Sequence, residues 1–414
     1  MLHSLVRNTF FQVFAKTVSV VGGIVLAYVL GRRFGESGFG VYTFVMSFVL
    51  FFGNLSDWGT SLIAVREASK ADEEKRKKIF TTSLITRFSL SILSFLLLNI
   101  LVRLNPSWRD FTLTTTIASF VLFFLSLKTS LSIVFQTKLR FDAISFIEIV
   151  STLGFVGVSV LLLLSGGGID QVMAAWVLST TLAFVLGAFL VKTKLTPLFF
   201  DKGVSLKIVK ESFPTGALLI VSTIYNRADV VILQHFHSTS DVGVYGMAYK
   251  VYETVVFGAS YIMNAMFPLL SKMYSSGEVT QKLKEYMGRA FGSLLFVGIL
   301  VAVLTYFAAP YLPLVFQGKF DFSVLPLRIL SFALVFSYLN HFVGYTLIAI
   351  GKQRAALVVA GGALVFNLAL NILFVPQFSF IASSYLTITT EALVLLLSGF
   401  VLARNLYAKR DYAK

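Results

Sequence analysis

Apolar runs longer than about 18 residues, long enough to cross a bilayer, recur from one end of this 414-residue chain to the other. Inside hydrocarbon no water can satisfy backbone N–H and C=O groups. A crossing segment must therefore be a helix or part of a closed barrel. The runs here are continuously apolar instead of alternating, so they are expected to be helices. Twelve spans follow, at roughly 9–30, 40–63, 80–102, 112–135, 143–164, 171–190, 212–234, 244–270, 287–308, 325–349, 355–374 and 381–403. Charged residues make up 13% of the chain, against about 25% in soluble domains. The connections are short, so no inserted soluble domain is expected. The first run, Thr9 to Leu30, is too long for a cleaved signal peptide and lacks a small-residue cleavage site. There is no cysteine, which excludes disulfides, thiol catalysis and cysteine metal sites.

The formal net charge is +15. Its placement speaks for membrane topology and against nucleic acid. Arg66, Lys70, Lys75 to Lys78, Lys138, Arg140, Lys202, Lys207, Lys210, Lys352, Arg354 and Arg404 fall on one side, while the other carries only Arg32, Arg33, Arg103, Arg109 and Lys319. The positive-inside rule puts the richer side, with both termini, in the cytoplasm. The run Lys75 to Lys78 reads either as an ordinary basic loop or as a dock for an anionic headgroup.

The chain also repeats. A shift of 203 lays Gly40, Val41 and Tyr42 on Gly243, Val244 and Tyr245, with Phe10 on Phe213, Ser19 on Ser222 and Ser37 on Ser240. A shift of 214 lays Lys138 and Arg140 on Lys352 and Arg354. Six spans per half is an even number, so both halves enter from the same side as a parallel repeat, with a site expected between them. The expected architecture is an all-α integral membrane protein: twelve transmembrane helices in two pseudo-symmetric six-helix lobes around a central cavity. The N-terminal lobe spans 1–190, a basic cytoplasmic linker 191–211, and the C-terminal lobe 212–414.

Several charges lie inside the spans. An ionisable side chain at a helix centre costs about 2.5 to 3.5 kcal/mol on insertion scales, so these should face a bundle interior or an aqueous cavity. The stretch NRADVVILQHF, residues 226–236, holds Arg227 and Asp229. Two residues apart on a helix is about 200°, so they need different partners. At 1.5 Å per residue, Asp229 and Lys250 lie about 8 to 10 Å from the outer surface, and Arg227 and Glu253 at about 11 to 14 Å. Asp229–Lys250 and Arg227–Glu253 are thus feasible pairs. Lys16 and Asp57 lie about 9 to 11 Å from the cytoplasmic surface and form a third, with Arg87, Lys128 and Glu148 in the same layer. Glu391 is a further mid-span acid. The repeat does not carry these charges: Arg227, Asp229 and Lys250 correspond to Ile24, Leu26 and Ser47.

The run Gly31 to Tyr42, GRRFGESGFGVY, resembles the loop after the first span of polysaccharide-unit flippases, the O-antigen and exopolysaccharide branch of the multidrug/oligosaccharidyl-lipid/polysaccharide (MOP) exporter superfamily. Arg227 to Asp229, followed by Asp241 to Lys250 (DVGVYGMAYK), is similar to that family's pattern after its seventh span. The resemblance implies a MATE-like fold and the flipping of a polyprenyl-diphosphate oligosaccharide within the cell membrane, for polysaccharide biosynthesis. It also implies membrane-lipid contacts and a polysaccharide polymerase or glycosyltransferase as partner. The lipid II branch usually carries extra C-terminal spans, which points away from lipid II here. Arg227, Lys250, Lys16, Arg87 and Lys128 are the candidate substrate contacts, because cationic side chains, Arg above all, hold diphosphate. Asp229, Glu253 and Glu391 are candidates for Na+ or H+ coupling.

Weaker signals are Asn340 and His341, the pair Asn367 and Asn371 on one helix face, and His235 and His237, which lack the further ligands a metal would need. No Walker motif, Rossmann glycine pattern, nucleophile elbow or HExxH occurs, so the chain reads as a transporter without cofactor or metal and not as an enzyme. The alternative is a cation-coupled multidrug or small-molecule exporter of the same superfamily, which would call for an acidic cavity where lipid flipping calls for a basic one.

Overall fold

The computed structural model describes residues 2–191, 199–275 and 281–411. Every element among them is helical. In order they are α1 (Leu2–Asp57), α2 (Thr60–Lys70), α3 (Glu73–Leu104), α4 (Thr112–Ser119), α5 (Val121–Thr137), α6 (Phe141–Leu164), α7 (Ile169–Leu190), α8 (Lys202–Phe236), α9 (Thr239–Ser275), α10 (Gln281–Ala308), α11 (Leu312–Val315), α12 (Val324–Ala349) and α13 (Gln353–Asp411). Short 3-10 turns precede α4, α11 and α12. Nine helical stretches among the described residues are long and apolar enough to cross a membrane. Two of these, of 61 and 53 residues, far exceed the thickness of a bilayer. They are interrupted at Gly35 (φ 66°, ψ −155°) inside α1 and at Ser379 (φ 51°, ψ −141°) inside α13. This is a multi-pass membrane protein.

The chain divides into two compact units, one formed by Met1–Phe34 and Val41–Arg227, the other by Gly35–Gly40 and Ala228–Lys414. The boundary falls within α8. The basic stretch expected as a linker, 191–211, is helical from Lys202 onward, as the first turns of α8; its residues 192–198 lie outside the described residues.

In the first unit α5 and α7 are the central helices, packed on α2, α3, α4 and α6. Ile63, Phe80, Leu131, Phe135, Ile147, Ala183 and Ile208 share one core there. In the second unit α12 is the hub for α9, α10 and α13. Its most apolar window is 61% buried, against 22% for α10, so α12 is enclosed by protein while α10 faces lipid.

Local capping accounts for the inner end of the first unit. Asp72 caps α3 by accepting from Lys75 N (2.8 Å), and Glu73 and Glu74 follow in its first turn, where the helix dipole favours acids. Arg76 donates to Ala68 O and Ala71 O, both at 3.1 Å, closing the last turn of α2. Lys77 pairs with Glu73 and Lys78 with Asp201. Much of the basic run 75–78 therefore has partners in the protein, which favours the ordinary-loop reading over a headgroup dock.

The repeat has a structural counterpart. In the second unit a Cβ built on Gly40 would collide with Thr239 O, and one built on Gly243 would collide with Glu36 O. The shift of 203 maps Glu36 onto Thr239 and Gly40 onto Gly243, so the two contacts are copies of each other. Ser240 Oγ adds a hydrogen bond to Glu36 Oε2 (3.1 Å). Only glycine lets the two backbones approach this closely.

Gly40→Ala and Gly243→Ala should each lower the melting temperature of the purified protein by a similar amount. Overpacking of this kind typically costs about 1 to 3 kcal/mol. Gly288→Ala, where a Cβ meets nothing within 4 Å, should hold or raise it, because alanine loses less entropy than glycine in a helix. Equal melting curves for all three would remove the close crossing.

Candidate functional site

Charges enter the spans of the first unit as compensated pairs. Beyond Asp57 the helix stops: Trp58 (φ 47°) and Gly59 (φ 68°) take left-handed backbone and start α2 afresh. Asp57 sits at this break. Its carboxylate accepts from Ser61 Oγ (3.1 Å) and takes Arg87 of α3 as ion-pair partner, Nη1 to Oδ1 2.9 Å. Depth alone pairs Asp57 with Lys16; packing selects Arg87 instead, because α3 lies directly against α2. Arg87 is only 2% exposed and also donates to Thr129 Oγ1. A guanidinium so enclosed is committed to the protein, which argues against the direct substrate contact expected for it.

The residue beside Thr129 is Lys128, whose ammonium meets Glu148 of α6 at 2.8 Å. Lys128 is 11% exposed and Glu148 49%. Ser19 of α1 meets Thr152 of α6 through their hydroxyls at 3.2 Å. Lys16 lies one turn before Ser19 and Glu148 one turn before Thr152, so both fall at one level on facing helices. Of the inner layer expected for Lys16, Asp57, Arg87, Lys128 and Glu148, the last four form two ion pairs, Arg87–Asp57 and Lys128–Glu148.

The second unit uses a different device. Asp229 is 8% exposed and accepts from the hydroxyl of Tyr245, which is 0% exposed. The span-eight partner of Asp229 is therefore Tyr245, where sequence depth points to Lys250. Lys250 instead lies 3.8 Å from Glu253, one turn on along α9. Tyr245 Oη approaches Thr387 Oγ1 (3.4 Å), and Thr387 donates to Ser383 O (2.9 Å). Ser383 Oγ donates to Asn371 Oδ1 (3.4 Å), Asn371 Nδ2 to Asn367 Oδ1 (3.1 Å), and Asn367 Nδ2 to Thr390 Oγ1 (3.1 Å). One acid, one phenol, two amides and three hydroxyls thus join α8, α9 and both arms of α13. Asn367 and Asn371 act as bridges between those arms. Tyr245, Ser383 and Thr387 escape a search for charged groups because none is ionised at neutral pH. The signal available for Tyr245 was its place in the repeated Gly-Val-Tyr.

Glu391 accepts from Asn340 Nδ2 at 2.7 Å, and the same amide donates to Glu391 O. His341 Nδ1 lies 2.8 Å from Ser337 O. His237 bonds Val375 O through Nε2 (2.6 Å). No group of three or more His, Cys, Asp or Glu among the described residues could hold a metal ion. Arg227 is half-buried, on the face of α8 turned away from Asp229.

Removing one partner of a buried pair strands the other. Asp57→Asn keeps an acceptor for Ser61 but leaves the Arg87 charge enclosed, so its loss should approach about 3 to 5 kcal/mol. Arg87→Met strands only Asp57, which is 24% exposed and keeps Ser61, so its loss should be smaller. The double variant should recover part of the Asp57→Asn loss. Thermal unfolding of the purified variants reads the order; a reversed order would mean that Arg87 is not held by Asp57.

Comparison with known proteins places this architecture. A family model described as "Polysaccharide biosynthesis protein" matches residues 5–274, more than half of the chain, and a second, described as "MatE", matches residues 214–373. A curated relative from Haloferax volcanii, the probable low-salt glycan biosynthesis flippase Agl15, is 23% identical over 290 residues, covering 68% of this chain and 59% of the relative. The chain thus spans less than two thirds of that relative's length. Among solved structures, the lipid II flippase MurJ in an inward closed conformation superposes with a TM-score of 0.79 at 15% identity, over 96% of this chain and 87% of that one. An inward-facing multidrug resistance MATE family transporter of the MOP superfamily superposes with a TM-score of 0.76 at 14% identity, over 95% and 96%. At such identities the superpositions show a shared fold.

Proposed function

This chain belongs to the polysaccharide biosynthesis protein family, and from that premise we propose that it flips a polyprenyl-diphosphate-linked oligosaccharide across the cell membrane by alternating access, for polysaccharide assembly. The observation that carries the reading is the set of cations held inside membrane spans, Lys16, Lys128, Arg227 and Lys250, on a fold shared with flippases and exporters. Charge at that depth is retained where it serves substrate or ion, and a diphosphate is the anionic part of such a lipid. Arg227 is the principal phosphate contact, since guanidinium binds phosphate bidentately and stays charged. Arg87 is a positioning residue that fixes Thr129 and, through it, the backbone carrying Lys128. The glycan relative from Haloferax volcanii supports this substrate class. The chain does no chemistry on the sugar. A polymerase or glycosyltransferase acts before or after it.

The network around Asp229 is the seat of cation coupling. Its acceptors are carboxylate, amide carbonyl and hydroxyl oxygens, the donor type that suits a hard cation such as Na+, and Asp229 is also able to carry H+. Glu253 and Glu391, each beside a polar partner, are the secondary coupling candidates. The multidrug reading has one observation on its side, the MatE match at 214–373.

Proteoliposomes loaded with a fluorescent lipid-linked oligosaccharide test the proposal. Wild type should move it between leaflets, and Arg227→Lys should slow it about tenfold or more while protein level holds, a loss of about 1.4 kcal/mol in the transition state. Asp229→Asn should abolish any acceleration by an imposed Na+ or H+ gradient. Undiminished flipping by Arg227→Lys removes the phosphate role. Export of cationic dyes without lipid movement would favour the multidrug reading.

The positive-inside asymmetry supports cytoplasmic termini. Cysteines at the exposed positions Ser37 and Ser238 should then react with an impermeant maleimide in intact cells, while one at Ser69 should not. Labelling at Ser69 in sealed cells would invert the topology.

A further inference from the structure

One cation stands apart from the charges discussed so far. Arg328 lies in the second turn of α12, near the helix end that follows the 3-10 turn Asp321–Ser323. Its guanidinium carbon sits 5.0 Å from the centre of the Tyr306 ring on α10. Arg87, Lys128 and Lys250 each have a carboxylate within 4 Å. Arg328 has a ring instead, and its Nε is buried without a hydrogen-bond partner. The acid nearest in sequence, Asp321, is exposed beyond the start of the helix.

The surroundings of Arg328 are those of a lipid boundary. Leu325 and Phe332 lie on the same stripe of α12, three residues before and four after it, and are 54% and 58% exposed. Phe332 and Phe307 both meet Tyr306 edge-on, with centroids 5.9 and 5.5 Å away, and Phe307 is 67% exposed. Exposed aromatic and aliphatic side chains at this density, on a helix end, mark the zone where acyl chains give way to headgroups. Arg328 is about 6 Å along the helix from its start, close to the hydrocarbon edge of a span of this length. Ring and buried N–H call for a negative group that none of the described residues supplies.

We propose that Arg328 and Tyr306 form a membrane-facing site for the phosphate of an anionic phospholipid, with Phe307, Leu325 and Phe332 packing against its chains. Under the topology proposed above, the lipid belongs to the outer leaflet. The site holds a bound lipid and is separate from the transported substrate. Tyr306 keeps the guanidinium at the surface plane, and the phosphate supplies its missing counter-charge bidentately.

Native mass spectrometry of the purified full chain, titrated with phosphatidylglycerol or phosphatidylcholine, tests this. Wild type should bind phosphatidylglycerol about tenfold more tightly than Arg328→Gln does, while phosphatidylcholine binding is the same in both. Arg328→Lys should retain part of the preference, and Tyr306→Leu, which leaves the charge but not its seat, should weaken it several-fold. If Arg328→Gln does not fold, the lysine and Tyr306 variants decide the matter by the same readout. Equal phosphatidylglycerol binding in wild type and variants overturns the site, as does a parallel loss with phosphatidylcholine. Displacement of phosphatidylglycerol by a polyprenyl diphosphate at lower concentration would make this a substrate exit site and overturn the bound-lipid role.

Discussion

Hydrocarbon will not hydrogen-bond a backbone, and that single constraint sets most of what this chain does. Each crossing must close its own N–H and C=O groups, so every secondary-structure element among the described residues is helical. Two departures from the helix have polar side chains beside them. At Trp58 and Gly59 the broken turn is bordered by Asp57, which accepts from Ser61 and holds Arg87. At Ser379 the arm of α13 that precedes the break has Val375 O met by the His237 ring. The interruptions are thus ordered by side chains that the sequence keeps near them.

The same low-dielectric surroundings govern the charges, and the two units answer in different ways. The first neutralises its spans with ion pairs, Arg87 with Asp57 and Lys128 with Glu148. Such pairs are costly to break from one side and give little net stability when intact, so their retention points to use. The second unit buries Asp229 against the hydroxyl of Tyr245.

Repetition and specialisation separate cleanly along the chain. The glycines that allow the closest backbone approach, Gly40 and Gly243, are related by the shift of 203 residues and meet equivalent carbonyls. The charges are not repeated: Asp229 corresponds to Leu26 and Lys16 to Leu219. Backbone approach depends on steric limits common to both halves, whereas the charges differ between them.

Much of this was legible in the residues alone. Hydropathy, the absence of charge over long runs and the internal shift determined the membrane class, the helical architecture and the identity of the buried charges, because those depend on composition and on distance along one helix. Resemblance in GRRFGESGFGVY and DVGVYGMAYK pointed to the family. Partner choice was decided only by tertiary structure. Depth places Lys16 and Lys250 level with Asp57 and Asp229, yet Arg87 and Tyr245 take those carboxylates. A depth calculation fixes height along the membrane normal but not the rotation of each helix or which helix lies beside it, and hydrogen bonds of 3 Å depend on both. For the same reason Arg328 passed unnoticed in the sequence: its distinction is the ring beneath it, and Tyr306 comes from another helix.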